Sequence, residues 1–198
     1  MKYVMQDTKR IAGYAHQMKG VFLTSDLSVL LQSSGKQLFD RISYLVDSGV
    51  LTRAVRGVYL AEGWRLEAVA ARLNPESYIT GPTVLAERMM IGTVPSNTLY
   101  CVKTGMPRSY AFEGRSIRFY SLQRSLFFGF EPKDGCHRAT PEKALLDTLY
   151  FYLRGERYFF DLFSDVNLSG IQPKRFEKAL AHYKNPKFRR FASDYLAR

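Results

Sequence analysis

The chain is poor in the residue types that mark redox, metal and nucleophilic sites. It holds two cysteines, one tryptophan and three histidines in 198 residues. Cys101 and Cys136 sit far apart with no Cys/His spacing around them, which argues against a zinc site and against a disulfide framework. His16, His137 and His182 lie in different regions, and none sits in a nucleophile–base motif. Glu142 and Asp147 are five apart, so on a helix they point in different directions and make a poor carboxylate pair. Gly35-Lys36 lacks the upstream glycine and the following Ser/Thr of a P-loop. No apolar run approaches the ~20 residues of a membrane span. The opening stretch MKYVMQDTKR lacks the apolar core of a secretory signal. The expectation is a cytoplasmic protein without membrane association that is not an enzyme and uses no cofactor and no metal.

What is present is apolar mass and positive charge. With 46% hydrophobic and 14% aromatic residues, the chain can bury a core and has room for one or two domains. The net charge of +11 is unevenly spread. Residues 1–74 carry ten Lys/Arg against six Asp/Glu, residues 75–171 eleven against ten, and residues 172–198 eight against two. Basic ends fit a polyanionic partner, because phosphate neutralisation supplies much of nucleic-acid affinity. A basic surface without such a partner fits equally well.

The stretch Ser33–Leu60 organises the reading. Leu38, Ile42, Leu45, Val46 and Gly49 recur at helical spacing and give a core-facing stripe. The other face offers Lys36, Gln37, Asp40, Arg41 and Tyr44. Ser33 and Ser34 are placed to cap the start, and Gly49 sits where a helix commonly stops. Leu51–Ala54 and Val58–Leu60 read as strands turning at Arg56-Gly57. A polar-faced helix followed by a basic hairpin is the pattern of a recognition helix and wing, one entering the major groove and the other touching phosphate. The alternative is an ordinary amphipathic helix and hairpin.

Upstream, Ile11, Tyr14, Ala15 and Met18 predict a first helix over roughly Asp7–Lys19, and Val21–Leu23 a strand that could pair with the wing. Thr24 or Ser25 should cap a second helix carrying Leu27, Leu30 and Leu31. Trp64–Leu73 reads as a further helix, and Asn74-Pro75 marks a boundary. Beyond it, Thr80 should cap a helix through Met89, with Pro82 in its first turn. Leu99–Lys103, Ser109–Phe112 and Arg115–Tyr120 read as strands, with a hairpin at Glu113-Gly114. Thr140-Pro141 starts a strong helix, and two helices carrying Phe176–Tyr183 and Phe188–Tyr195 close the chain. The expected fold class is α+β. Residues 1–74 should form a winged helix-turn-helix domain, and residues 75–198 a larger mixed α/β domain.

The segment RATPEKALLDTLYF (Arg138–Phe151) resembles the most characteristic motif of the AbiEi-type antitoxins of bacterial abortive-infection systems. The wing RAVRGVYL (Arg53–Leu60) and the segment YITGPTVLAERMMIG (Tyr78–Gly92) resemble that family in the same order, so the likeness runs from about residue 8 to about residue 155. The resemblance implies a transcriptional autorepressor that binds double-stranded DNA at inverted repeats in its own promoter. It also implies a type IV antitoxin that counters a nucleotidyltransferase toxin without a stable complex. The readings that compete with it are a stand-alone winged-helix regulator and a protein-interaction module without DNA binding.

The expected DNA contacts are Gln37 and Arg41 to bases, with Ser33, Ser34, Lys36, Arg53 and Arg56 to phosphate and Tyr44 on the same helix face. In the antitoxin-like motif, Thr140 caps, Pro141 presets the first turn, Glu142 suits the helix dipole, and Lys143 and Asp147 can pair at i, i+4. Those local jobs come first. The alternative makes Glu142, Lys143 and Asp147 an antitoxin contact surface. Lys174, Lys178, Lys184, Lys187, Arg189 and Arg190 should face outward from the last two helices. They are either a solvated face or a second polyanion patch, for flanking DNA or for an RNA that the toxin also uses.

Overall fold

The computed structural model describes residues 2–92 and 97–198. The chain is mixed α+β, with eight α-helices and two sheets among those residues. It divides into two compact units: Met1–Pro75 with Tyr110–Arg115, and Glu76–Ser109 with Ser116–Arg198.

The first unit runs α1 (Lys2–Ala15), β1 (Val21–Leu23), α2 (Thr24–Leu31), α3 (Gly35–Asp47), β2 (Thr52–Val55), β3 (Val58–Leu60) and α4 (Leu66–Leu73). α1 starts and ends earlier than its apolar spacing predicts, and after it Lys19 and Gly20 both take positive φ where the chain turns into β1. The three strands are antiparallel in the order β1-β3-β2, with Phe22 opposite Tyr59 and a bulge between Arg53 and Val55. β1 does pair with the second strand of the hairpin. Neither Thr24 nor Ser25 caps α2. Leu23 holds the N-cap position, and the Asp26 carboxylate reaches back to accept its N–H at 2.7 Å. α1, α2 and α3 bury Ile11, Leu27, Leu31, Leu38, Ile42 and Leu45 against Phe22, Leu51 and Tyr59. α4 begins at Leu66, two residues later than its pattern suggests. Trp64 instead sets its ring 5.7 Å from that of Phe112, with the Arg115 guanidinium 4.5 Å above it.

The rest of the chain supplies β4 (Tyr78–Ile79), α5 (Pro82–Glu87), β5 (Thr98–Lys103), β6 (Arg108–Phe112), β7 (Arg115–Ser121), β8 (Phe130–Lys133), β9 (Cys136–Ala139), α6 (Pro141–Leu153), α7 (Pro173–Leu180) and α8 (Pro186–Leu196). The six-stranded sheet has the order β6-β7-β5-β4-β9-β8. Its β4–β9 and β5–β7 ladders are parallel, and β4–β5 and β8–β9 are antiparallel. Gly81, not Thr80, occupies the N-cap of α5, with Pro82 at its first position. The β8–β9 hairpin turns at Asp134-Gly135, both with positive φ. Its strand β8 carries Pro132, which an edge position tolerates because no ladder N–H is needed there.

α6 is the centre of the second unit. Thr140 caps it by accepting the Lys143 N–H at 3.3 Å, and Pro141 sits in its first turn. Ala144, Leu145, Leu146 and Leu149 are fully buried, and α6 packs against α5, α7 and α8. A helix covered on that many sides has no solvent face for its polar residues.

Candidate functional site

In the first unit, α3 presents a polar face to solvent. The chain leaves α2 through Gln32 in the left-handed region and enters α3 at Gly35 with φ +55°, a conformation that glycine adopts without a Cβ clash. Ser34 stands at the N-cap position, but its side chain makes no capping hydrogen bond. Leu38, Ile42 and Leu45 are buried, and the opposite side presents Lys36, Gln37, Asp40, Ser43 and Tyr44, the last 49% exposed. Arg53 and Arg56 of the β2–β3 hairpin are exposed as well.

Two of the predicted DNA contacts are elsewhere. Arg41 is turned to the flank of the buried stripe, where it ties the three helices together. Its Nε donates to Asp7 Oδ2 at 2.9 Å, its Nη2 donates to Asp7 Oδ1, and its Nη1 donates to the Leu31 carbonyl at 2.7 Å. A guanidinium engaged on all three sides, with its carboxylate partner only 4% exposed, does not read base edges. The Ser33 hydroxyl is shut off from solvent and has no hydrogen-bond partner among the described residues, so it cannot touch phosphate. Phe39, which helical spacing also places off the buried stripe, is 57% exposed.

The Arg138–Phe151 motif does the local jobs expected of its cap, proline and i, i+4 pair, and it does them inside the protein, not on its surface. Glu142, Lys143 and Asp147 are 3%, 0% and 0% exposed, so they form no contact surface. Lys143 and Asp147 make a fully buried ion pair one turn apart on α6. Asp147 Oδ2 also accepts from the Tyr78 hydroxyl at 2.9 Å and the Thr80 hydroxyl at 2.8 Å. The Lys143 ammonium donates to the Tyr183 hydroxyl at 3.2 Å and lies 5.0–5.6 Å from the ring centroids of Phe128, Tyr78 and Tyr183. A Cβ on Gly129 would come within 3.2 Å of the Lys143 side chain, so a glycine lets the chain pass there. Glu142 Oε1 accepts the Gln172 N–H at 3.1 Å, joining the start of α6 to the start of α7. The motif is a buried polar fastener that holds β4, the loop before β8 and the segment after α7 on one helix.

Burial pushes the Lys143 amine below its ordinary range, and Asp147 partly restores it. Burial and then Asp147 raise the Tyr78 and Tyr183 hydroxyls above the tyrosine range, and burial chiefly raises Tyr158. A tyrosine with a raised folded pKa contributes stability that is present below about pH 10 and lost as pH rises, because the unfolded chain ionises first. The lowered Lys143 acts oppositely, its folding penalty easing as pH approaches the unfolded value of about 10.4. Above the unfolded lysine value the lysine penalty is gone, and each raised tyrosine then lowers stability by about 1.4 kcal/mol per pH unit. Above about pH 10 these tyrosines should therefore ionise in one cooperative step with unfolding. Gradual ionisation of all thirteen tyrosines with an intact near-ultraviolet dichroism signal would show the network to be absent.

Lys174, Lys178, Lys184, Lys187, Arg189 and Arg190 are all exposed, while Phe176, Leu180, Tyr183, Phe188 and Tyr195 are buried. Arg190 lies 3.9 Å from Asp194 on the next turn. His137 and His182 pack against Phe130 and Phe128, at 5.5 and 4.2 Å between ring centroids. No group of three His, Cys, Asp or Glu among the described residues is placed to hold a metal ion. No helix among them is long and apolar enough to cross a membrane.

No family model matches the chain, and no curated protein matches it in sequence. Among solved structures it is similar to the crystal structure of the RV2827C protein from Mycobacterium tuberculosis. The two are 16% identical, the likeness covers 97% of this chain and 76% of that one, and the TM-score is 0.64. At that identity the likeness is one of fold.

Proposed function

We propose that the chain is a DNA-binding transcriptional autorepressor whose residues 1–74 form a winged helix-turn-helix, and that it serves as an AbiEi-type antitoxin. The observation that carries the DNA-binding reading is the pairing of two features. α3 buries Leu38, Ile42 and Leu45 and leaves Lys36, Gln37 and Tyr44 in solvent, and a hairpin that exposes Arg53 and Arg56 follows at once. A helix with one free polar face fits the major groove, and a basic hairpin beside it fits phosphate. Gln37 is the base reader, suited to adenine, and Ser34, Lys36, Arg53 and Arg56 hold the backbone. The antitoxin part rests on the resemblance of Arg53–Leu60, Tyr78–Gly92 and Arg138–Phe151 to that family. With Glu142, Lys143 and Asp147 buried, any contact that neutralises a nucleotidyltransferase falls to other residues. Lys174, Lys178, Lys184, Lys187, Arg189 and Arg190, exposed on α7, α8 and their link, are the candidates, through an RNA that both proteins would bind.

Gel shifts of the full chain on its own promoter test the reading. Gln37→Ala should relax sequence preference at a cost of about 1–3 kcal/mol, and Arg56→Ala should weaken all sequences alike and lower the salt slope by about one. The double variant, expressed from a foreign promoter, should no longer bind the promoter yet still rescue cells from a cognate nucleotidyltransferase toxin. Wild-type affinity in both single variants would sink the assignment of the interface. Loss of rescue in a folded double variant would join the two activities that the proposal separates.

A further inference from the structure

We infer that Phe39 is a thymine reader, its ring packing on the 5-methyl group of a thymine in the major groove. This deepens the DNA-binding reading of α3 and rests on it. Phe39 follows Lys36 by three positions and precedes Ser43 by four, so it shares the solvent face of the helix and is 57% exposed there. The apolar residues that α3 gives to the core are Leu38, Ile42 and Leu45, and Phe39 lies off that stripe. Its neighbours one turn away on the helix are Gly35 and Lys36 before it and Ile42 and Ser43 after it, and of these only Ile42 is buried. A single exposed ring is too small an apolar area to seat another protein. It is the right size for one methyl group. The thymine methyl is the one apolar feature among the base edges displayed in the major groove, and phenylalanine is among the side chains that meet it.

The test uses deoxyuridine, which differs from thymidine only by that methyl group. A duplex is selected by the full chain from a random-sequence pool, then prepared with thymidine and again with deoxyuridine throughout. Wild-type protein should bind the thymidine duplex about fourfold tighter for each contacted thymine, the worth of burying one methyl group. Phe39→Ala should bind the two duplexes alike, and Phe39→Leu should keep part of the preference. Because the ring stands outside the core, Phe39→Ala should melt as the wild type does. If no sequence is enriched from the pool, the DNA-binding reading falls and the inference with it. An enriched duplex that wild-type protein binds equally in both forms overturns the inference alone. So does a preference that survives in Phe39→Ala, and so does a loss of self-association in that variant with the preference unchanged.

Discussion

Asp147→Ala is expected to destabilise the second unit by about 3–5 kcal/mol, the range for removing one partner of a buried ion pair. The carboxylate is fully buried and takes donors from Lys143, Tyr78 and Thr80, with the Tyr183 hydroxyl 3.4 Å away. Without it the Lys143 ammonium stays inside the protein with only the Tyr183 hydroxyl and three ring faces near it. Desolvation then dominates, and the amine is driven further toward its neutral form. The double variant Lys143→Met/Asp147→Asn removes both charges and keeps an amide to bond Tyr78 and Thr80. It should be more stable than Asp147→Ala, because replacing both partners avoids the uncompensated charge. Urea unfolding followed by the near-ultraviolet dichroism of the tyrosines measures both. A midpoint for Asp147→Ala within about 1 kcal/mol of the wild type would mean that the pair is not buried as described.

Arg41→Ala should cost about 3 kcal/mol and lower the melting temperature of the first unit by more than about 12 °C, while Gln37→Ala leaves it unchanged. The guanidinium bridges α1 and α3 through Asp7 and closes the end of α2 through the Leu31 carbonyl. Its removal leaves the Asp7 carboxylate, 4% exposed, without its counter-charge. Arg41→Lys should recover little, because a single ammonium cannot make a two-pronged contact with a carboxylate and reach a carbonyl as well. Trp64, the single tryptophan, lies in the first unit and reports its unfolding by fluorescence. An Arg41→Ala protein that melts as the wild type but has lost sequence preference on DNA would return Arg41 to the role of base reader.

Much of the local structure can be read from the residues in order. The Leu38, Ile42, Leu45 stripe, the Glu113-Gly114 turn and the Thr140-Pro141 start of α6 each depend on neighbours within one or two turns of chain. Helical spacing likewise places Lys36, Gln37 and Tyr44 on the far side of α3 from its buried stripe. It also predicts the aromatic faces that α7 and α8 bury.

Contacts between distant parts of the chain decided the rest. Arg41 shares the polarity of Gln37, and a carboxylate 34 residues upstream, with the Leu31 carbonyl, turns it inward. Lys143 and Asp147 show i, i+4 pairing in the sequence, but their spacing is the same for an exposed pair and a buried one. Tyr78, Phe128 and Tyr183 close over the pair, and these come from widely separated segments. The parallel ladders of β4 with β9 and of β5 with β7 leave no local trace, since each strand's pattern reports which side is buried and not which strand lies beside it. Short strands such as Phe130–Lys133 carry too little alternation to be seen until a partner supplies their hydrogen bonds. Periodicity expresses the preference of a segment for one face. Burial and pairing belong to the segments that meet it, and folding alone brings those together.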